Sequence, residues 1–246
     1  MAILELRGVT KRFGGLPAVD DLDLDVAPGR VVALIGPNGA GKSTLLQLIN
    51  GLIAPTTAGA IRFEGRDLLG RSPHEVRRMG VATVMQRPRV FTSMSTLEDV
   101  AVGARFGGGE RLREGPATEV AAEVLERLGL GARRDVSVAE LTLHEQRVLE
   151  LARALAGRPR LLLLDEVMAG LNPTELTAFV ELVRSVRDDA GLTIVWVEHV
   201  MRAITALADD VVVLALGRRL AAGSPDEVMR DPRVIEAYLG RGAQRC

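Results

Sequence analysis

Lysine is nearly absent from this sequence of 246 residues. Of its 31 basic residues only Lys11 and Lys42 are lysines, and all the others are arginines. An arginine presents a flat fork of donors, whereas a lysine presents a compact point charge on a flexible stem. Where this chain uses lysine, we therefore expect a position that needs a point charge.

Cysteine and long apolar runs are scarce as well. The single cysteine, Cys246, has no second cysteine to pair with, which fits a reducing cytosol. No apolar run approaches the roughly 20 residues that span a bilayer. Residues 1–7 alternate as in a strand and lack the long apolar region of a signal peptide. We expect a cytoplasmic chain that meets a membrane only through a partner.

Charge of one sign is not in excess. The formal net charge is −1, which argues against a chain that wraps nucleic acid or lies on an anionic membrane. Aromatic residues make up only 3% of the sequence, but hydrophobic residues make up 47%, enough for a sizeable core. The length fits one large α/β domain or a domain with a subdomain.

Short apolar runs alternate with helical patterns, which predicts a sheet covered by helices. These runs are short and rich in β-branched residues or leucine, as strands buried on both faces are. The predicted buried strands are Val31–Ile35, Val81–Met85, Leu161–Leu164, Thr193–Val197 and Val211–Ala215. Residues 3–26 instead alternate apolar and polar positions, which predicts an antiparallel sheet with one wet face.

Strand signals stop between Arg87 and Gly157, where the patterns are helical at 96–105, 116–128 and 143–156. A run of glycines at 107–109 predicts a flexible joint in this stretch. We expect a single domain whose core is formed by about 1–86 and 158–225. A helical subdomain would occupy about 87–157 and a C-terminal helical extension about 226–246.

A glycine-rich loop with a lysine follows the first buried strand and precedes a predicted helix. It consists of Gly36, Pro37, Asn38, Gly39, Ala40, Gly41, Lys42, Ser43 and Thr44. Glycines let successive N–H groups curl around phosphate oxygens at the positive end of a helix. Lys42 is expected to reach the β- and γ-phosphates of ATP, and the Ser43 hydroxyl to bind Mg²⁺. The alternative is a glycine-rich turn with no ligand.

Carboxylates close another apolar strand, where Leu161–Leu164 runs into Asp165 and Glu166. Folds of this class bind ligands at the carboxyl ends of their strands. Asp165 is expected to hold Mg²⁺ through water, and Glu166 to act as general base on the attacking water. Alone, the pair has an equally good alternative, because acidic residues often close strands at a surface.

Gln86 and His199 also stand just after predicted strands. Each has a plain alternative as a loop residue or a satisfied core group. What favours a site is the set as a whole, because four strands each deliver a polar side chain or a phosphate loop at the same end.

The order of these motifs resembles the nucleotide-binding subunits of ABC transporters over essentially the whole chain. The resemblance implies a P-loop NTPase core with a mixed, largely parallel sheet, an N-terminal antiparallel β subdomain and an inserted helical subdomain. It makes Gln86 the Q-loop glutamine and a Mg²⁺ ligand, Glu166 the catalytic glutamate and His199 the switch histidine. Residues 169–172 would form the D-loop. Phe13 matches the aromatic that stacks on adenine, unless it is an ordinary core phenylalanine.

The signature of the family, Leu-Ser-Gly-Gly-Gln, caps the γ-phosphate of ATP bound to the opposite subunit. Here it reads Leu141-Thr142-Leu143-His144-Glu145, and Val167 replaces the family's proline after the catalytic glutamate. Thr142 and Glu145 form a capping box, so a helix should still begin here. His144 crowds the helix N-terminus or donates to the phosphate, and Glu145 brings a negative charge near ATP. Two interpretations stay open: weakened capping, or a tolerated substitution.

Finer features resemble the ATP-binding subunits of branched-chain amino-acid importers. They lie at residues 169–173, 197–201 and 231–240. The resemblance implies ATP and Mg²⁺ as ligands, a second ABC ATPase subunit, two permease subunits and, indirectly, a substrate-binding protein. The chain would sit on the cytoplasmic face of the cell membrane, with Arg87–Thr96 as its permease contact or, alternatively, as a plain loop.

Two other classes of function compete with this one. An ABC-type ATPase acting on nucleic acid usually has a coiled-coil insert or two fused nucleotide domains, and neither is visible here. A module that binds ATP without hydrolysing it would explain the altered signature, but Glu166 and His199 speak against that class.

Overall fold

The computed structural model describes residues 1–109 and 111–239. Its strands are β1 Leu4–Phe13, β2 Leu16–Val26, β3 Val31–Ile35, β4 Ala60–Phe63, β5 Arg66–Asp67, β6 Val81–Val84, β7 Leu161–Asp165, β8 Thr193–Val197, β9 Asp210–Ala215 and β10 Arg218–Gly223. Its α-helices are α1 Lys42–Ile49, α2 Pro73–Arg78, α3 Thr96–Phe106, α4 Glu114–Arg127, α5 Leu143–Ala156, α6 Pro173–Ala190, α7 Met201–Leu207, α8 Pro225–Arg230 and α9 Pro232–Leu239. Cys246 and the predicted extension beyond residue 239 lie outside the described residues.

The chain forms two compact units, and the first contains Met1–Ser72 together with the residues from Thr193 onward. Its N-terminal sheet is antiparallel, in the order β2-β1-β4-β5. Along β2 the apolar residues Leu22, Leu24 and Val26 are buried while the aspartates between them face water. The prediction of an antiparallel sheet with one wet face is confirmed.

A second set of strands in this unit is mostly parallel. Strand β3 pairs in parallel with β8 on one side and with β9 on the other, and β10 closes the edge antiparallel to β9. All residues of β3 and β8 are buried, as their continuous apolar runs predict. Helix α1 begins at Lys42, directly after the glycine-rich loop, as expected.

The C-terminal helices of the first unit cover one face of β3 and β9. Val228 of α8 and Val234 of α9 share a buried cluster with Ile35 and Val213. Ile35 is the last residue before the glycine-rich loop, so these helices support the strand from which that loop emerges.

The second unit, Pro73–Leu192, contains β6 and β7 in parallel register and the helices α2 to α6. Within it α3, α4 and α5 pack against one another, which confirms the helical character predicted for this stretch. Strand β6 ends one residue before the predicted Met85, whose carbonyl accepts a hydrogen bond from Arg147 instead. Strand β7 continues one residue further than predicted, to Asp165.

The longest helix, α6, buries Phe179, Val180, Val183 and Val186 along one face. Its other face is charged, as in the surface helix of a water-exposed domain. Across residues 1–109 and 111–239, no helix has the length and apolar character needed to cross a membrane.

Candidate functional site

The course of the glycine-rich loop is possible only with glycine at two of its positions. Gly36 and Gly41 have φ angles of 145° and 98°. A Cβ at Gly36 would lie 2.1 Å from the carbonyl oxygen of Leu214, and one at Gly41 would lie 2.0 Å from that of Ala18. Because both neighbours are backbone atoms, no side-chain movement could relieve the clash. The loop is therefore held in a fixed curve by the strands around it.

Lys42 starts α1 and is buried, with 7% of its surface exposed. Its Nζ donates to the carbonyl oxygens of Gly36 at 2.8 Å and Pro37 at 3.1 Å. The ammonium group thus lies against the backbone at the start of the loop, and Lys42 is a position where the sequence led us to expect a point charge.

The first turn of α1 suits an anion. It contains no acidic residue, and its N-cap is Gly41, which has no side chain to cap an N–H group. Ser43 and Thr44 are half-buried in the same turn. The N–H groups and the helix dipole at a helix N-terminus favour phosphate. The residues present fit the triphosphate of a nucleotide.

Tyr238 of α9, to which the sequence assigned no individual role, lies beside this loop. Burial raises the pKa of its phenol, while a hydrogen bond with the backbone of Gly36 opposes the shift. Sequence spacing gave no signal for this contact, since Gly36 lies in the first part of the chain and Tyr238 near its end.

Phe13 ends β1 with 53% of its surface exposed, so the alternative of an ordinary core phenylalanine is wrong. The Nζ of Lys11 lies 5.2 Å from the centre of its ring and donates to the carbonyl of Ala54 at 2.7 Å. Of the two lysines of the chain, Lys42 therefore lies in the phosphate loop and Lys11 lies against the exposed ring of Phe13.

His199 is exposed just after β8, and its ring lies close to the carboxylate of its neighbour Glu198. The Nδ1 of His199 lies 3.3 Å from Oε1 of Glu198, whose side chain is fully buried. The same oxygen accepts the backbone N–H of His199 at 2.9 Å. Sequence reasoning missed Glu198, although a carboxylate directly before a candidate histidine was a signal for such a contact.

The second unit brings Gln86 and Glu166 together. The side-chain amide Nε2 of Gln86 donates to Oε2 of Glu166 at 2.7 Å. Asp165 is buried at the end of β7, and Glu166 follows it with a φ of 46°, a left-handed conformation that is uncommon for residues other than glycine. Such outliers occur most often at functional sites.

The altered signature still begins a helix, as predicted. Thr142 accepts the backbone N–H of Glu145 at 3.2 Å, and the Glu145 carboxylate accepts the backbone N–H of Thr142 at 2.8 Å. The other carboxylate oxygen of Glu145 lies 3.0 Å from Nε of Arg133. Burial raises the pKa of Glu145, but the bonds from Thr142 and Arg133 outweigh it and lower the pKa overall.

His144 and Leu143 shape the surface at this helix start. Nδ1 of His144 is buried and has no hydrogen-bond partner among residues 1–109 and 111–239. Leu143 is exposed, and its Cδ2 would lie 3.1 Å from a Cβ at Gly170, within the predicted D-loop. In the same loop, Asn172 caps α6 by accepting two backbone N–H groups. Val167, which replaces the family's proline, is fully buried.

A phosphate loop after β3, a carboxylate pair at the end of β7 and a capped helix within the helical stretch define an ATP-binding cassette of the ABC type. A family model described as ABC transporter matches residues 19–169. A second, described as Branched-chain amino acid ATP-binding cassette transporter, matches residues 218–244. The chain belongs to the ABC transporter family and is an ATPase cassette of that family.

Curated relatives match almost end to end. The chain is 38% identical to the high-affinity branched-chain amino acid transport ATP-binding protein BraF of Pseudomonas aeruginosa, over 97% of this chain and 98% of the relative. It is 36% identical to LivG of Escherichia coli, of the same description, with the same coverage.

Solved structures agree. The chain is similar to a nucleotide-free ATP-binding cassette from an ABC transporter, with a TM-score of 0.87, 27% identity and coverage of 98% of this chain and 100% of the other. It is also similar to the ADP conformation of MJ1267, another such cassette, with a TM-score of 0.88, 28% identity and coverage of 98% and 99%.

Proposed function

We propose that this chain hydrolyses ATP to drive the uptake of branched-chain amino acids or similar small molecules through partner permeases. The observation that carries the hydrolytic part is the Gln86–Glu166 hydrogen bond, which holds a carboxylate in place after β7. The cargo is inferred from the relatives, whose names describe branched-chain amino acid transport.

The phosphate loop and Lys42 would bind the triphosphate, and the exposed ring of Phe13 would stack on adenine. Ser43, Gln86 and Asp165 would hold Mg²⁺, which supplies positive charge to the phosphate oxygens when bound. Fixed donors and a fixed cation need no rearrangement as charge develops, which supports catalysis by positioning and electrostatics.

Glu166 is the proposed general base. Its carboxylate would accept a proton from the attacking water, while the amide of Gln86 keeps it oriented. The buried carboxylate of Glu198 orients His199 through Nδ1, which leaves Nε2 for a contact with the γ-phosphate.

The proposed permease contact is the surface just after Gln86. Phe91 is 45% exposed and Arg87 and Arg89 are exposed beside it, so apolar and basic groups share one surface. A surface of this mixture suits docking to another protein. The proposed assembly has two ATPase subunits and two permeases on the cytoplasmic face of the membrane, served by a substrate-binding protein, with about 87–157 as the helical subdomain.

Uptake of labelled leucine tests the proposal as a whole. Cells that lack this chain would be complemented with the wild type or with Glu166→Gln, and compared at equal protein level. We expect uptake with the wild type and near-complete loss with Glu166→Gln. Unchanged leucine uptake in cells without the chain would overturn the assigned cargo. ATP hydrolysis by the purified chain would then show whether the ATPase assignment survives.

A further inference from the structure

A cavity of about 220 Å³ lies in the second unit, at the C-terminus of α3. It is lined by Arg78 of α2, by Arg105 and Phe106 at the end of α3, and by Gly108, Gly109 and Arg111. Among these described residues three are cationic and none is acidic. The cavity is therefore positively charged, and its lining supplies no counter-charge.

The guanidinium groups of this lining have no anionic partner. Within the described part of the chain, those of Arg78, Arg105 and Arg111 form no ion pair and donate no hydrogen bond. By contrast, Arg127 of α4 pairs with Asp189 at 2.7 Å. The Nε of Arg105 is buried as well. A buried donor without a partner costs free energy, which a bound acceptor would recover.

Phe106 positions two of these guanidinium groups. The Cζ atoms of Arg105 and Arg111 lie 5.4 and 4.9 Å from the centre of its ring, and Phe106 is 46% exposed. A guanidinium group that lies over an aromatic ring keeps the N–H groups at its edge available for hydrogen bonds. The ring therefore supports two forks of donors without using their hydrogen-bonding capacity.

Arginines near a helix C-terminus have a simpler explanation, because a cation there offsets the negative end of the helix dipole. Arg105 does lie in the last turn of α3, but the end of the helix is capped by the N–H of Gly107, which donates to the carbonyl of Gly103. The negative end of a helix dipole amounts to about half an elementary charge. It leaves most of the three positive charges uncompensated.

A fourth arginine adds positive charge behind the cavity. A Cβ at Gly107 would lie 2.6 Å from Nη2 of Arg77, so this guanidinium group lies directly against the loop between Phe106 and Gly108. Burial, and then the charge of Arg153, lower the pKa of Arg77 to about 10. No carboxylate of the described residues opposes this shift. The surroundings of the cavity thus have an excess of positive charge.

We propose that this cavity binds a small anion that bears a phosphate or diphosphate group, held by the guanidinium groups of Arg78, Arg105 and Arg111. Arginine forks bind phosphate oxygens in pairs of parallel hydrogen bonds, which suits three unpaired guanidinium groups around one space. The volume is below the roughly 300 to 1,000 Å³ of sites for drug-sized ligands, so the cavity takes the anionic group and not a whole nucleotide. The group belongs to a free anion or to the head group of an acidic phospholipid. The site shares no residue with the phosphate loop 36–44 and does not depend on the proposed function.

Calorimetric titration of the full-length chain with inorganic pyrophosphate is the first test. Saturating ADP would be present, so that the phosphate loop is occupied. We expect one pyrophosphate per chain, with an affinity that falls at least tenfold in Arg105→Gln and in Arg111→Gln. Arg111 is exposed, so its substitution should leave the fold intact, which thermal unfolding would check.

Arg113→Gln is the matched control. Arg113 is also exposed and stands two positions from Arg111, but it does not line the cavity. It removes the same charge from the same stretch and should leave pyrophosphate affinity unchanged. An equal loss in Arg113→Gln and Arg111→Gln would show general attraction of anions to a basic surface and would overturn the site. Unchanged affinity in Arg105→Gln and Arg111→Gln would overturn it too.

Cosedimentation with vesicles separates the two sources of the anionic group. Vesicles of phosphatidylcholine would be compared with vesicles that also contain phosphatidylglycerol. If a lipid head group is the ligand, only the second kind should bind the wild type, pyrophosphate should compete, and Arg111→Gln should bind at least fivefold less. If a free anion is the ligand, Arg111→Gln should change pyrophosphate binding alone. A wild type that binds neither probe through Arg111 would refute the proposal.

Discussion

The side-chain amide of Gln86 and the carboxylate of Glu166 are joined by a hydrogen bond of 2.7 Å within the second unit. These residues stand 80 positions apart, at the ends of two parallel strands, β6 and β7. The carboxyl ends of parallel strands meet at one edge of a sheet, which is where such folds place their chemistry. The bond therefore connects a candidate general base to Gln86. The proposed permease contact begins directly after Gln86.

Replacing Glu166 with Gln should lower the rate of phosphate release by about 100-fold or more, because a positioned general base contributes about 10² to 10⁴ in rate. ATP affinity measured by calorimetry should stay close to wild type, since Lys42 and the phosphate loop are untouched. Glu181→Gln, at an exposed ion pair with Arg184 on α6, serves as the control and should leave the rate unchanged. Wild-type phosphate release by Glu166→Gln would remove Glu166 from its assigned role.

Ala at Gly36 should abolish nucleotide binding and destabilise the fold, because its Cβ would overlap the carbonyl of Leu214. Gly15→Ala is the matched control. Gly15 does not have a positive φ, and nothing lies within 4 Å of an added Cβ there. We expect thermal unfolding and ATP titration of the control to match wild type. Normal ATP binding by Gly36→Ala would mean that the loop can take another course.

Lys42→Arg tests the need for a point charge in a chain that otherwise uses arginine. The Nζ of Lys42 fits between two carbonyl oxygens at 2.8 and 3.1 Å in a buried position. A planar guanidinium group is too large for that space, so calorimetry should show ATP affinity falling at least tenfold. Arg at Lys11, the only other lysine, is the comparison, and it should have a smaller effect. Unchanged ATP affinity in Lys42→Arg would contradict the assigned contact.

Much of this site could be predicted because its signals are local. The loop 36–44 has its glycines where the backbone needs them, and Asp165-Glu166 follows a continuous apolar run. The contact of Arg147 with the backbone of Met85 could not be predicted, because nothing in the spacing tells which of many arginines is buried there. The pairing of Glu145 with Arg133 was missed for the same physical reason. Residues far apart in the chain meet only through packing.

Acid should destabilise the fold partly through its capping boxes. Backbone and side-chain hydrogen bonds from Ser95 and Ser224 lower the pKa values of Glu98 and Glu227, and the pKa of Glu145 is also lowered. A carboxyl group with a lowered folded pKa stabilises the fold above its unfolded pKa of about 4.3. That contribution is lost as the pH falls through the folded pKa.

Thermal unfolding of Ser95→Ala and Ser224→Ala between pH 3 and pH 7 would measure this effect. Each variant should lower the unfolding temperature at pH 7, and the difference from wild type should shrink toward pH 3. A difference that stays constant across this range would show that the capping glutamates do not account for the loss.

The altered signature leads to the sharpest prediction. In the structure its residues Glu145 and His144 differ in their contacts, so we expect different effects from them. Glu145 turns both carboxylate oxygens inward, to the N–H of Thr142 and to Arg133, so its charge is already compensated. His144 instead places an imidazole at the helix start where the family has glycine. We therefore expect His144 to be the residue that limits capping of ATP on the partner subunit.

His144→Gly should accordingly raise the ATPase rate of the isolated chain several-fold, without changing the affinity of the monomer for ATP. Glu145→Gln alone should leave the rate unchanged, because a glutamine can still accept the Thr142 N–H and no exposed negative charge is removed. Glycine at position 144 would both remove the imidazole and loosen the helix, whereas His144→Ala only removes the imidazole. If His144→Gly and His144→Ala both raise the rate, crowding by the imidazole is the cause. If neither is faster than wild type, the substitution at His144 is tolerated, and a composite site capped by this chain should hydrolyse ATP as fast as one capped by Leu-Ser-Gly-Gly-Gln.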